Sequence, residues 1–151
     1  MSQTTMSQYG AASVAGLLDG VGPRNVRSYA AEEIIPVGFP VKLGTDPAKK
    51  VLKATAGAGV VGFSILGQAC EQTSAGAVQY AATETVSVLT QGRMWVMTSK
   101  AVAAGATANL TVANGTLTDA SVTTGIEAFT QVSVKFITAT TAAGLALVEI
   151  K

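Results

Sequence analysis

The sequence predicts an all-β fold: a jelly-roll-like β-barrel or sandwich with an extended N-terminal arm. Three observations carry this prediction. Short runs rich in Val, Ile, Thr and Phe alternate apolar and polar positions at a period of two. Clusters of Gly, Pro, Asn and Asp separate the runs at the spacing of turns. No stretch holds a helical period, and even the Ala-rich Ala101–Ala108 is diluted by Gly105, Val and Thr. Many short strands in that rhythm make a sandwich or a barrel, and no fixed repeat suggests a solenoid.

Residues 1–28 read as the arm and 29–151 as the barrel domain. The arm is small and polar. Gly10, Gly16, Gly20, Gly22 and Pro23 interrupt it, leaving room for a short helix over Ala11–Leu18. Its apolar residues Val14, Leu17, Leu18 and Val21 have few partners in their own segment. They point to ordering against a neighbouring subunit.

The β pattern starts at about Tyr29, and Ala30–Glu33 offers one helical turn at most. In Pro36–Leu43, Val37, Phe39, Val41 and Leu43 share one face, while Pro36 and Pro40 suit an edge strand or strand ends. Thr45–Lys50 has turn chemistry. Val51–Thr55 is a short strand, Ala56–Gly59 a flexible turn, and Val60–Leu66 a mostly apolar strand. Thr85–Thr90 aligns Val86 with Val88, Gly92-Arg93 breaks the run, and Met94–Met97 resumes it as a bulky buried strand. Asn114-Gly115, between Thr107–Val112 and Thr116–Thr118, signals a hairpin with a type I′ turn. Gly125–Phe136 alternates Val132, Val134 and Phe136, and Leu145–Ile150 is the final strand.

Composition narrows the function classes. The 151 residues suffice for one domain with a real core. Only 13% are charged, against about 25% in ordinary domains, and the net charge is +1. That excludes a polybasic nucleic-acid binder and an acidic tail. A hydrophobic share of 48% argues against disorder. There is no histidine, which removes the commonest general base and metal ligand. The single cysteine, Cys70, forms no intrachain disulfide and suits a buried position in a reducing compartment. The first residues lack the basic and apolar regions of a signal peptide, and no apolar run suits a membrane span. The expectation is a soluble protein made inside a cell, with sparse charge that favours association.

The local motifs are mostly structural. Gly57-Ala-Gly-Val-Val-Gly62 matches a dinucleotide fingerprint, but a strand follows it where the motif needs a helix. The sequons at Asn109 and Asn114 lack a secretory context. Adjacent Glu32 and Glu33 would face opposite sides of a strand and make no catalytic dyad. Glu84 and Glu127 are too far apart in sequence to judge as a pair. Lys49-Lys50 suits a solvated turn. Arg24 and Arg27 suit ion pairs with a partner protein, and Trp95 suits either a core or an interface anchor.

Thr85–Met97 followed by Ala101-Val-Ala-Ala-Gly105 resembles the central block of the capsid cement (decoration) proteins of tailed bacteriophages. Arg24–Tyr29, Ile35–Val41, Thr45-Asp46, Val61-Gly-Phe63 and Gly144–Ile150 fit the same family from about Leu17 onward. The resemblance implies a barrel or jelly-roll that binds the outer surface of an expanded virion shell. It would bridge major capsid proteins against internal DNA pressure and self-associate as a dimer or trimer at capsid symmetry axes. Synthesis would be in the bacterial host cytoplasm. Such a protein needs no catalytic residue, cofactor or metal, and contacts neither nucleic acid nor membrane. Leu17, Leu18, Arg24, Arg27 and Trp95 are the candidate interface residues. The rival readings are a ligand- or carbohydrate-binding β-module, disfavoured by 5% aromatic residues, and an enzyme on a barrel, disfavoured by the missing histidine.

Overall fold

The computed structural model describes residues 15–20 and 22–151. Val14, Val21 and the first half of the helix expected over Ala11–Leu18 lie outside the described residues. Within them the fold is all β, with no helix. The strands are β1 (Asn25–Ala31), β2 (Ile35–Pro36), β3 (Pro40–Leu43), β4 (Lys50–Lys53), β5 (Val60–Ser64), β6 (Glu71–Gln72) and β7 (Val78–Tyr80). They continue with β8 (Thr85–Met97), β9 (Asn109–Thr111), β10 (Leu117–Thr118), β11 (Ile126–Ala128), β12 (Val134–Phe136) and β13 (Leu145–Ile150).

Strands β1, β4, β3, β5 and β8 neighbour one another in that order, and β1 returns to β8 to close the barrel. Only the β1–β4 contact is parallel, and it spans Ala30 and Ala31. Inside, Val41, Val51, Val86 and Val88 pack with Ile35 and Tyr80, all fully buried. The last two come from β2 and β7, part of a small sheet ordered β2-β7-β6. Glu71–Gln72 and Val78–Tyr80 are too short and polar to stand out as strands in the sequence.

β8 serves both halves of the molecule. Its first half pairs with β1 and β5, and its second half with β13, which carries β12. The expected break at Gly92-Arg93 is absent, because the strand runs through. Gly92 supplies a pivot instead, with φ +137, which L side chains rarely adopt, and a Cβ there would press on Arg24 Cβ at 3.1 Å. β8 contributes to two cores. Val86 and Val88 face the barrel cluster, whereas Leu89, Met94 and Val96 face a second one with Phe136, Val148 and Ile150. A three-stranded sheet, ordered β10-β9-β11, adds Leu110 and Leu117 to that second core.

Several expectations need correction. Pro36–Leu43 is two strands, because Gly38 (φ +81) turns the chain between them. Buried Ser64 holds that turn: its Oγ donates to Pro36 O at 2.6 Å and accepts from Phe39 N–H at 3.1 Å. The shared face dissolves accordingly, with Val41 buried and Leu43 exposed. Gly125–Phe136 likewise divides into β11 and β12. The Asn114-Gly115 hairpin forms, but not with a type I′ turn. Gly115 has φ +70 and Asn114 is not left-handed. Gly115 N–H donates to Thr111 O at 2.9 Å, closing a longer loop on whose glycine the Phe39 ring rests. Ala30–Glu33 makes no helical turn, since β1 runs to Ala31.

The β pattern begins earlier than Tyr29. β1 starts at Asn25, inside the segment read as an arm. Residues 15–19 are also tied to the body. Leu18 bridges Met94, Trp95 N–H donates to Leu17 O at 2.9 Å, and Asp19 N–H donates to Arg93 O at 3.1 Å. Gly16 reaches across to Gly38, where only glycines fit: a Cβ on Gly16 would lie 2.9 Å from Gly38 N. The segment thus covers the edge of β8 opposite β13.

Candidate functional site

The outward face of the second half of β8 follows from register. Met94 and Val96 point into the core, so Arg93, Trp95 and Met97 point out. Leu18 shares the inner side with Met94 and packs on the second core, which turns Leu17 outward beside Trp95. On the other flank Trp95 faces Leu147, Met97 faces Leu145, and Arg93 faces Glu149. Leu17, Trp95 and Leu147 therefore form one apolar row across three chain segments. Met97 is 43% exposed, whereas Leu147 is fully buried; its O accepts from Ile137 N–H at 2.8 Å and its N–H donates to Thr138 Oγ1 at 3.0 Å. Trp95 is partly buried, belongs to neither core cluster, and keeps an exposed portion.

A charged row borders this apolar one. Arg93 Nε lies 3.6 Å from Glu149 Oε1, and Lys151 Nζ lies 3.5 Å from Glu149 Oε2. Lys135 stands opposite Glu149 on β12. Asp19, beside Arg93, has a buried Oδ2 with no hydrogen-bond partner among the described residues.

Of the five residues singled out from sequence, the fold brings Leu17 and Trp95 together. Leu18 is held by its own chain, pinning the N-terminal segment. Arg24 and Arg27 lie apart from the Trp95 row, at the start of β1, and are exposed. Neither makes an ion pair among the described residues. The adjacency of Leu17 and Trp95 was not visible in sequence, because the pairing of residues 17–19 with β8 is a long-range contact.

The carboxylates serve the scaffold. Glu32 Oε1 accepts from Thr45 N–H at 2.8 Å and from the Thr45 hydroxyl. The hydroxyl bond is the main reason its carboxyl sits below its ordinary pKa, and the backbone bond and Lys50 add to it. Glu33 Oε1 accepts from Lys53 N–H at 2.9 Å, and Glu127 Oε2 from Gly57 N–H at 2.7 Å. The glycine fingerprint is spent on packing and turning: Gly57 lies against Ala128, Gly59 has φ +80, and Gly62 lies against Leu89 O. Asn109 Nδ2 donates to Ala120 O, and Asn114 Oδ1 accepts within its own turn. Cys70 is partly buried, and its Sγ accepts from Gly67 N–H at 3.4 Å. Tyr80 donates to Ile65 O at 2.6 Å, and burial pushes its phenol pKa well up, helped by the Cys70 thiol. No group of three or more Cys, Asp or Glu is placed to hold a metal among the described residues.

These surfaces lie on a frame that a solved phage capsid structure shares. A solved structure, the capsid of Myoviridae phage XM1, matches with a TM-score of 0.68 over 97% of this chain and 95% of that one, at 17% identity. At that identity the match speaks for the fold. No curated protein matches the sequence. The family model described as structural cement protein (E217 gp24/Pam3 gp6) matches residues 2–151. The chain belongs to this family of phage structural cement proteins, and its place is the virion capsid.

Proposed function

We propose that the chain is a non-catalytic brace on the outside of the expanded shell. It bridges major capsid proteins and steadies them against internal DNA pressure. The observation that carries this reading is the outward face of β8, where Trp95 keeps an exposed portion and Met97 is 43% exposed. It leaves apolar surface open on a body whose own cores are already complete. Self-association as a dimer or trimer on a symmetry axis would repeat each contact. Bridging two shell proteins makes the second contact intramolecular, so modest single contacts suffice.

Residues 1–14 extend this grip to a neighbour, while Leu18 anchors their base. Removing 1–28 would take out half of β1 and open the barrel, so the informative truncation ends at residue 14. The test is to add purified chain to expanded shells stripped of it, then heat them. Shells carrying the full chain should withstand higher temperatures, and the truncated chain should bind more weakly. Equal heat resistance with and without bound chain refutes the bracing role.

A further inference from the structure

β1 closes the barrel with only part of its length. Ala31 N–H donates towards β8, to Glu84 O at 2.9 Å, whereas Ala30 N–H donates towards β4, to Lys49 O at 2.7 Å. The alternation places the backbone groups of Val26 and Ser28 on the side away from β8. β4 reaches Ala30 and Ala31 only. Along Asn25–Tyr29 that side of β1 has no strand beside it among the described residues. Asn25–Ser28 are exposed, and Val26 is 41% exposed. Barrels usually abolish such edges, and an open one is a template for another strand.

The charges choose the occupant. Arg24 and Arg27 flank the edge without an ion-pair partner among the described residues, and residues 1–14 and 21 contain no acidic side chain. The nearby Lys49 already lies 4.0 Å from Asp46. A second copy of β1 laid antiparallel on the first, centred on Arg27, would set arginine against arginine, which is unfavourable. Carboxylates would satisfy both guanidinium groups.

Resting on the cement reading above, we propose that the open edge of β1 receives an extended acidic segment of the shell protein as an added strand. Main-chain bonds at Val26 and Ser28 supply the pairing, and Arg24 and Arg27 select the acidic partner.

Hydrogen exchange of the full chain, free and bound to stripped expanded shells, tests this. The peptide covering Asn25–Ala31 should exchange at least about tenfold more slowly at two amides when bound. A chain that co-sediments with shells while this peptide exchanges at its free rate overturns the edge proposal and leaves the cement reading standing. A chain that fails to co-sediment overturns both. Protection that grows with protein concentration without shells identifies a second copy as the occupant, and also overturns the proposal. Arg24→Glu with Arg27→Glu should lower shell affinity at least about tenfold at low salt, with a smaller gap at high salt. The same two positions changed to Lys should retain most of the binding. Reversal without loss shows that the partner is not acidic.

Discussion

Gly16→Ala tests whether the N-terminal segment is part of the folded body. Gly16 has φ +84, which costs an L-residue about 1–2 kcal/mol. The new methyl would also lie 2.1 Å from Val37 Cγ1, 2.9 Å from Gly38 N and 3.3 Å from Leu66 N. Val37 can rotate away, but the two backbone nitrogens belong to fixed turns. Overpacking of this kind costs about 1–3 kcal/mol. The expected loss is about 2–5 kcal/mol, a fall in Tm of about 4–20 °C for a chain of this size. Gly20→Ala is the matched control, because its Cβ would meet nothing within 4 Å. It should stay within about 0.5 kcal/mol of the parent. Thermal melting reads the loss, and hydrogen exchange locates it. Trp95 N–H donates to Leu17 O, so it should exchange faster in Gly16→Ala and unchanged in Gly20→Ala. Equal melting and equal Trp95 exchange in the two variants would refute the docking of residues 15–19 on β8.

Three further substitutions probe the core, the outer face and the pH response. Ser64→Ala strands Pro36 O and Phe39 N–H in a buried turn and should cost about 2–4 kcal/mol in denaturant unfolding; a loss below about 0.5 kcal/mol would mean that the turn holds without the hydroxyl. Trp95→Ala should cost less than the roughly 3–5 kcal/mol of a core tryptophan, about 1–3 kcal/mol, while shell binding drops at least tenfold. Full stability loss with intact binding would move Trp95 to a purely structural role. Tyr80 holds its proton more tightly folded than unfolded, so its contribution is complete below the ordinary phenol pKa of 10.0 and fades as pH rises above it. Melting should therefore decline above about pH 10, and Tyr80→Phe should flatten that decline after its own loss of the bond to Ile65 O. An equally steep decline in Tyr80→Phe would assign the alkaline response to other groups.

Val86, Val88, Met94 and Val96 announce a buried strand through local alternation, and β8 is where they place it. Gly92 looked like a terminator because glycine weakens strands, yet tertiary pairing on both halves of β8 carries the chain through it. Gly38 hid inside an alternating run, since its need for φ +81 comes from the turn and from contact with Ala15 and Gly16. Leu17 and Leu18 looked unpartnered because their partners, Trp95 and Met94, lie far along the chain. For the interface, residue types pointed to Arg24, Arg27 and Trp95. Only the fold separates them into an apolar row on β8–β13 and a basic open edge on β1. The Glu32, Glu33 and Glu127 ties to backbone amides carry no sequence signature, because they depend on which loops meet.

Sedimentation of native particles, with quantitative mass spectrometry of the heavy fraction, decides whether the chain coats the shell. A shell-bracing role predicts this chain in fixed stoichiometry with the major shell protein, removable from the surface by chaotrope. That ratio also distinguishes two-fold from three-fold occupancy. A chain left in the light fraction, or present at only a few copies per particle, would contradict it.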